Sequence, residues 1–156
     1  MTFERLRTIE GKDKEKILEQ LNRDFGIKEI PGILLMRGAE RIFLYQGDLT
    51  MEQISNMEKT FVIERIGVYF AKEQNGEVRL SLEGVHLLKD QIIKGIFELD
   101  EKQADEWMHG SELNLETGKK GFLVMKYKEY FLGTGKASEK KISNYIPKNR
   151  RLKFKN

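Results

Sequence analysis

Between Gly118 and Ile146 the chain runs through three short apolar segments, Phe122 to Tyr127, Tyr130 to Lys136 and Ile142 to Ile146, separated only by tight-turn residues. Segments of this length are too short for stable helices and suit strands, and such tight turns join antiparallel neighbours. This stretch predicts a small, strongly bent sheet or barrel. Gly118-Lys-Lys-Gly121 is the turn that leads into it, and Gly133-Thr134-Gly135 interrupts its middle segment.

The approach to that sheet reads as a strand over Gln91 to Glu98, then a helix capped by Asp100-Glu101, running to Trp107 and ended by Gly110. Leu113 and Leu115 suggest one more short strand. Trp107, with Phe97 and Ala104, makes an inward face and is expected in the core. His109, beside Gly110, is expected at the carbonyl end of that helix.

The first half has a different texture. Ile17, Leu18, Leu21 and Phe25 recur at helical spacing over residues 13–25, with Asp13 as cap and Gly26 as stop. Ile33 to Met36 suits a buried strand that returns as Arg41 to Tyr45. A helix is expected from Thr50, with Met51, Ile54 and Met57 inward. Alternation predicts a strand from Phe61 to Phe70, and Asn75-Gly76 is a strong type I′ hairpin signal leading to Val78, Leu80 and Leu82. Glu83 to Lys89 reads as a short helix joining two halves, with the boundary beside it.

Charge divides the chain more sharply than hydropathy does. From Lys136 to the end there are eight Lys/Arg residues against one acidic residue, Glu139, giving +7. The whole chain is only +3, so residues 1–135 sum to −4, with 20 basic residues against 24 acidic ones. Mixed signs suffice for solubility; a concentrated excess suits an anionic partner better. Ile142, Tyr145, Ile146, Leu152 and Phe154 are threaded through the run. Such anchors distinguish an ordered basic surface from a disordered tail.

Composition excludes several chemistries. There is no cysteine, hence no disulfide, thiolate ligand or thiol nucleophile, and the two histidines, His86 and His109, are too isolated for a zinc or iron site. No metal and no cofactor is expected. No run approaches the roughly 18–20 apolar residues of a membrane span, and the N-terminus lacks a secretory apolar core, so the expected location is cytoplasmic. Acidic pairs such as Asp105-Glu106 have no nearby basic partner for acid–base work. The spacing of a phosphate loop is absent, and so is the third glycine of a dinucleotide fingerprint.

Ile96-Phe-Glu-Leu-Asp-Glu-Lys-Gln-Ala-Asp-Glu-Trp107, Gly110, Gly121-Phe-Leu-Val-Met-Lys-Tyr127, Phe131-Leu-Gly-Thr-Gly-Lys136, Ile142-Ser-Asn-Tyr-Ile-Pro-Lys148 and Arg150-Arg151 together resemble a PUA-like RNA-binding domain. More narrowly, they resemble the C-terminal RNA-binding region of the Fmu/Sun family of 5-methylcytosine ribosomal RNA methyltransferases. The first half is similar in layout to the α/β domain that precedes that module. Those enzymes also carry a cofactor-binding domain and catalytic cysteines, which these residues do not supply. The resemblance implies a free-standing RNA-binding part without the chemistry.

The expectation is therefore an α+β protein: an N-terminal mixed α/β domain over residues 1–89, then a PUA-like β-barrel with one or two short helices over residues 90–156. Its expected function is non-catalytic recognition of structured rRNA or tRNA, in ribosome biogenesis, rRNA processing or tRNA modification. The alternative is a protein–protein adaptor docking on an RNA methyltransferase or ribosome-assembly factor. The expected RNA-binding residues are Gly133, Thr134, Gly135, Lys136, Lys140, Lys141, Asn144, Tyr145, Lys148, Arg150 and Arg151. Two roles fit the glycines: relief of crowding at a bent strand, or close approach of a ribose-phosphate. Tyr145 suits either a stacking platform or the core, and Asn144 either a base edge or a turn.

Overall fold

A computed structural model describes residues 6–63 and 65–154. The strand β1 (Leu6–Ile9) leads into α1 (Gly11–Phe25), which buries Ile17, Gln20, Leu21 and Phe25 along one face. The helix begins earlier than expected: Glu10 occupies the cap position with no side-chain bond, and Asp13 lies within the first turn. Gly26 ends it at φ 80°, a left-handed conformation that favours glycine.

The hairpin β2 (Ile33–Arg37) and β3 (Arg41–Tyr45) follows as expected. Thr50 then caps α2 (Met51–Thr60) in a reciprocal capping box with Gln53. Of the three residues expected inward on α2, only Ile54 is buried, and Met57 is 40% exposed.

The strand expected from Phe61 to Phe70 begins only at Val68, as β4 (Val68–Gln74). Phe61 closes α2 by donating its N–H to the Met57 carbonyl, and the Ile63 carbonyl accepts from the Arg37 guanidinium. The alternation of apolar residues there tracks a connection, while Phe61 and Val62 remain exposed.

Asn75 and Gly76 take φ 52° and 79°, so the expected hairpin forms and returns the chain as β5 (Glu77–Leu80). Leu82 does not extend it. The Ser81 hydroxyl accepts the Gly84 N–H and starts α3 (Leu82–Leu88), followed by one 3-10 turn at Lys89–Gln91. The five strands form one antiparallel sheet in the order β1-β2-β3-β4-β5. The open edge of β5 is closed by Gln20, whose side chain bonds both the N–H and the carbonyl of Val78 at 2.9 and 2.8 Å.

The second half holds β6 (Ile96–Glu98), α4 (Glu101–Met108), β7 (Gly121–Tyr127), β8 (Tyr130–Ala137) and β9 (Ile142–Asn144), with a last 3-10 turn at Lys148–Arg150. Only the end of the strand expected over Gln91 to Glu98 forms; Gln91 instead uses its side chain to bond the backbone of Lys28 and Glu29. Asp100 caps α4 as expected, and the structure adds Gln103 as its reciprocal partner in a capping box. Leu113 contributes a single bridge to Ile142 rather than a strand.

The second sheet runs β6-β7-β8-β9, with β6 parallel to β7 and the other pairs antiparallel. Among the described residues the pairings make an open sheet with one added bridge; none joins β9 back to β6 as a closed barrel would. The observed class is mixed α/β with two sheets.

Two apolar clusters hold these layers. The larger gathers Leu21, Phe25, Leu34, Leu44, Phe70 and Val85 of the first half, and takes in Val124 of β7. The smaller surrounds Trp107 with Leu123, Met125, Ile142 and Ile146. The Thr134 hydroxyl donates to the Leu80 carbonyl at 3.1 Å, so a buried polar bond also links the sheets. Among the described residues no helix is long and apolar enough to cross a membrane.

Candidate nucleic-acid interface

The expected site residues divide by burial into three groups. Gly133, Thr134 and Gly135 lie buried in β8. A side chain on Gly135 would come within 2.6 Å of Ile142 Cγ2 and 2.8 Å of the Trp107 ring. Glycine at 135 therefore makes room for Trp107, whose indole N–H donates to the Leu132 carbonyl at 2.7 Å. Gly133 has ordinary space around it but takes φ 87°, where an L side chain is strained. The Thr134 hydroxyl is already engaged with Leu80. Crowding therefore explains Gly135, and the left-handed backbone explains Gly133.

Asn144 and Arg151 form the second group, half-buried and bonded to backbone. The Asn144 amide donates to the Trp107 and Ser111 carbonyls at 2.8 and 3.0 Å, and its oxygen accepts the Ile146 N–H at 2.8 Å. Arg151 Nε donates to the Ile146 carbonyl at 2.9 Å, and its side chain lies over Gly110. Leu152 N–H continues this attachment by donating to the Met108 carbonyl. Phe154 then stacks on His109 at 4.2 Å between ring centroids, while His109 Nδ1 donates to the Asp105 carbonyl at 2.7 Å. The basic end is thus fastened along α4, which explains the apolar residues threaded through it.

The third group is the exposed surface: Lys136, Lys140, Lys141, Tyr145, Lys148 and Arg150. Lys136 pairs with Glu77 at 2.9 Å, Lys141 with Glu112 at 2.9 Å, and Arg150 with Glu83. The hydrogen bond that the Lys136 ammonium donates to Glu77 holds its pKa above the usual lysine value. Lys140 and Lys148 make no ion pair among the described residues, and Lys153 beside them is likewise exposed. Lys155 lies outside the described residues.

Sequence reasoning missed the residue that gives Tyr145 its setting. Arg79, from β5, places its guanidinium 3.9 Å from the centroid of the Tyr145 ring. Burial of Tyr145 is therefore partial, 38% exposed, with one face covered by a cation from the other half. Around them lies a small cavity of about 80 Å³, lined among others by Lys72, Asn75, Phe122 and Lys136. Nothing in the local sequence at 79 marks it, because its partner is 66 positions away. The arrangement offers cations, amide groups and aromatic rings on one surface. It suits the phosphates and bases of a nucleic acid.

Comparison with known proteins finds relatives of this chain. Residues 94–152 match the family described as the methyltransferase RsmF PUA domain. Over 142 residues the chain is 27% identical to the ribosomal RNA small subunit methyltransferase F of Aeromonas salmonicida (strain A449), covering 90% of this chain and 28% of that relative. The enzyme of the same name from Aeromonas hydrophila subsp. hydrophila is 25% identical over 141 residues, with the same coverage. The chain spans little more than a quarter of the length of these curated relatives. Residues 94–152 thus match the PUA domain of methyltransferase RsmF, and the chain as a whole is similar to just over a quarter of such an rRNA methyltransferase.

Proposed function

We propose that this chain is a non-catalytic RNA-binding protein that recognises structured rRNA or tRNA, acting in ribosome biogenesis or RNA modification. The reading divides it at residues 89/90 into an N-terminal α/β domain and the PUA-type domain. The observation that supports it best is the coincidence of two features over one segment. Residues 94–152 match a PUA domain of an rRNA methyltransferase, and the same segment ends in exposed cations at Lys140 and Lys148. Phosphate contacts from this surface supply affinity, and RNA shape supplies selectivity. Methyl transfer to a cytosine ring requires an attacking thiolate, and these 156 residues contain no cysteine.

Binding to an rRNA stem–loop is expected to weaken steeply with salt. Four to six phosphate contacts predict a log–log slope of roughly −3 to −5, at about −0.7 to −0.9 per contact. Lys140→Glu with Lys148→Glu should cut affinity about tenfold or more with little loss of stability, since both side chains are exposed and neither makes an ion pair among the described residues. A salt-independent affinity, or full binding by the double variant, overturns the reading. Calorimetry with S-adenosylmethionine should give no isotherm; a stoichiometric one would contradict the non-catalytic part.

A further inference from the structure

Four cations that are scattered in sequence fall on one line across the first sheet. Backbone register places Arg37 opposite Arg41, Arg41 opposite Lys72, and Lys72 opposite Arg79. Directly opposed residues point to the same face of a sheet, with Cβ atoms about 4.5–5.5 Å apart. The row therefore crosses β2, β3, β4 and β5 on one face, over about 14 Å at the usual strand spacing. That face is opposite the main core, because the alternate residues Met36, Ile42, Val78 and Leu80 are the ones in the large apolar cluster. Tyr69, half-buried on the same sheet, reports the convergence: burial pushes its hydroxyl up, while Arg79 and Arg41 act in the other direction.

Like charges in directly opposed positions destabilise a sheet, and here three successive pairings repeat that cost. Edge protection does not account for it, because β2, β3 and β4 are interior strands. Neutralisation is partial: Lys72 meets Glu40 at 3.3 Å, and Arg37 uses one nitrogen on the Ile63 carbonyl. Arg41 is exposed and has no ion pair among the described residues. The row does not stop at the sheet edge. Arg79 lies over Tyr145, and Lys136, paired with Glu77, shares the small cavity with Lys72 and Arg79. Lys136 also lines a cleft of about 990 Å³ that Lys119 and Lys120 border.

We infer that the RNA path is not confined to the basic end but crosses the first sheet along Arg37, Arg41, Lys72 and Arg79, passing onto the PUA-type domain at the Arg79–Tyr145 stack. This extends the RNA-binding reading and rests on it. The cations engage successive backbone phosphates, and the exposed part of the Tyr145 ring, with Phe122 beside it, faces an unpaired base.

The test replaces Arg41, Lys72 and Arg79 together by Gln and measures binding of an rRNA stem–loop across a salt series. The expected slope is shallower by about two to three, with affinity down at least about tenfold, and the melting temperature unchanged or higher as repulsion is relieved. Wild-type affinity and slope in the triple variant, beside lost binding in Lys140→Glu/Lys148→Glu, would overturn the row while leaving the RNA-binding reading intact. Absence of salt-dependent binding by the wild type would remove both. Should the triple variant melt early, Arg41→Gln alone decides: a slope shallower by about one supports the row, and an unchanged slope overturns it.

Discussion

The two sheets hold their positive charge in opposite ways. In the second half eight cations are clustered in sequence from Lys136 onward, yet the fold ties up several: Lys136, Lys141 and Arg150 in ion pairs, and Arg151 on a backbone carbonyl. In the first half the sum of charge is negative, yet strand register lines up Arg37, Arg41, Lys72 and Arg79 without an equal row of acids. Charge counted along a sequence measures supply. Charge that a ligand meets depends on what each cation already touches, and only geometry supplies that.

The largest effect that would test this contrast concerns whether the sheets are energetically separate at all. Trp107 is fully buried, and the main cluster reaches into β7 at Val124. Trp107→Ala should cost about 3–5 kcal/mol and lower a single thermal transition. Two resolved transitions would show that the halves melt independently, and the comparison would then be between two units.

The next test sharpens the reading of the second sheet's glycines. Gly135→Val drives a branched side chain into Ile142 and Trp107 and should cost about 1–3 kcal/mol or more through overpacking. Gly133→Ala meets no such crowding and should cost only about 1–2 kcal/mol, for the left-handed backbone. Equal losses by calorimetric melting would mean that φ, rather than the tryptophan, governs both positions.

Smaller shifts distinguish the cations themselves. Arg41→Gln should leave stability unchanged or raise it by about 0.2–1 kcal/mol, whereas Lys141→Gln should lose about 0–1 kcal/mol with its Glu112 pair. Opposite signs uphold the contrast; matching losses would end it. The smallest effect is at Lys136, whose folded-state value is raised by Glu77. Because the raised value belongs to the folded state, the pair's contribution is full below the ordinary lysine value and is lost as pH rises through the raised one. Exposure limits it to about 1 kcal/mol or less. Glu77→Gln should flatten that alkaline decline in urea titrations.

Local chemistry was legible at several positions where a residue acts on its own neighbours, though not at Asp13, which lies inside the first turn of α1 rather than at its cap. The Asn75-Gly76 turn, the Gly26 stop, and the Thr50 and Asp100 caps depend on φ preference or on bonds within three residues, and each forms. Legibility failed where apolar alternation had no paired strand to satisfy, as at Phe61 to Ile66, and where a cap overruled it, as at Ser81 before Leu82. The basic end and its apolar anchors were visible in sequence, but their attachment to α4 through Arg151, Leu152 and Phe154 was not.

Residue order alone thus supplied the parts: short strands, their turns and caps, a basic end without cysteine chemistry, and the resemblance to a PUA-like module. Packing in three dimensions set how those parts are used. Strand register brought Arg79 from the first half over Tyr145 of the second and aligned four distant cations. Burial turned Gly135 into space for Trp107 and Asn144 into a backbone bracket. The physical reason is range: φ preferences and caps act over a few residues, while ion pairing, stacking and steric exclusion depend on distances in space that sequence separation does not encode.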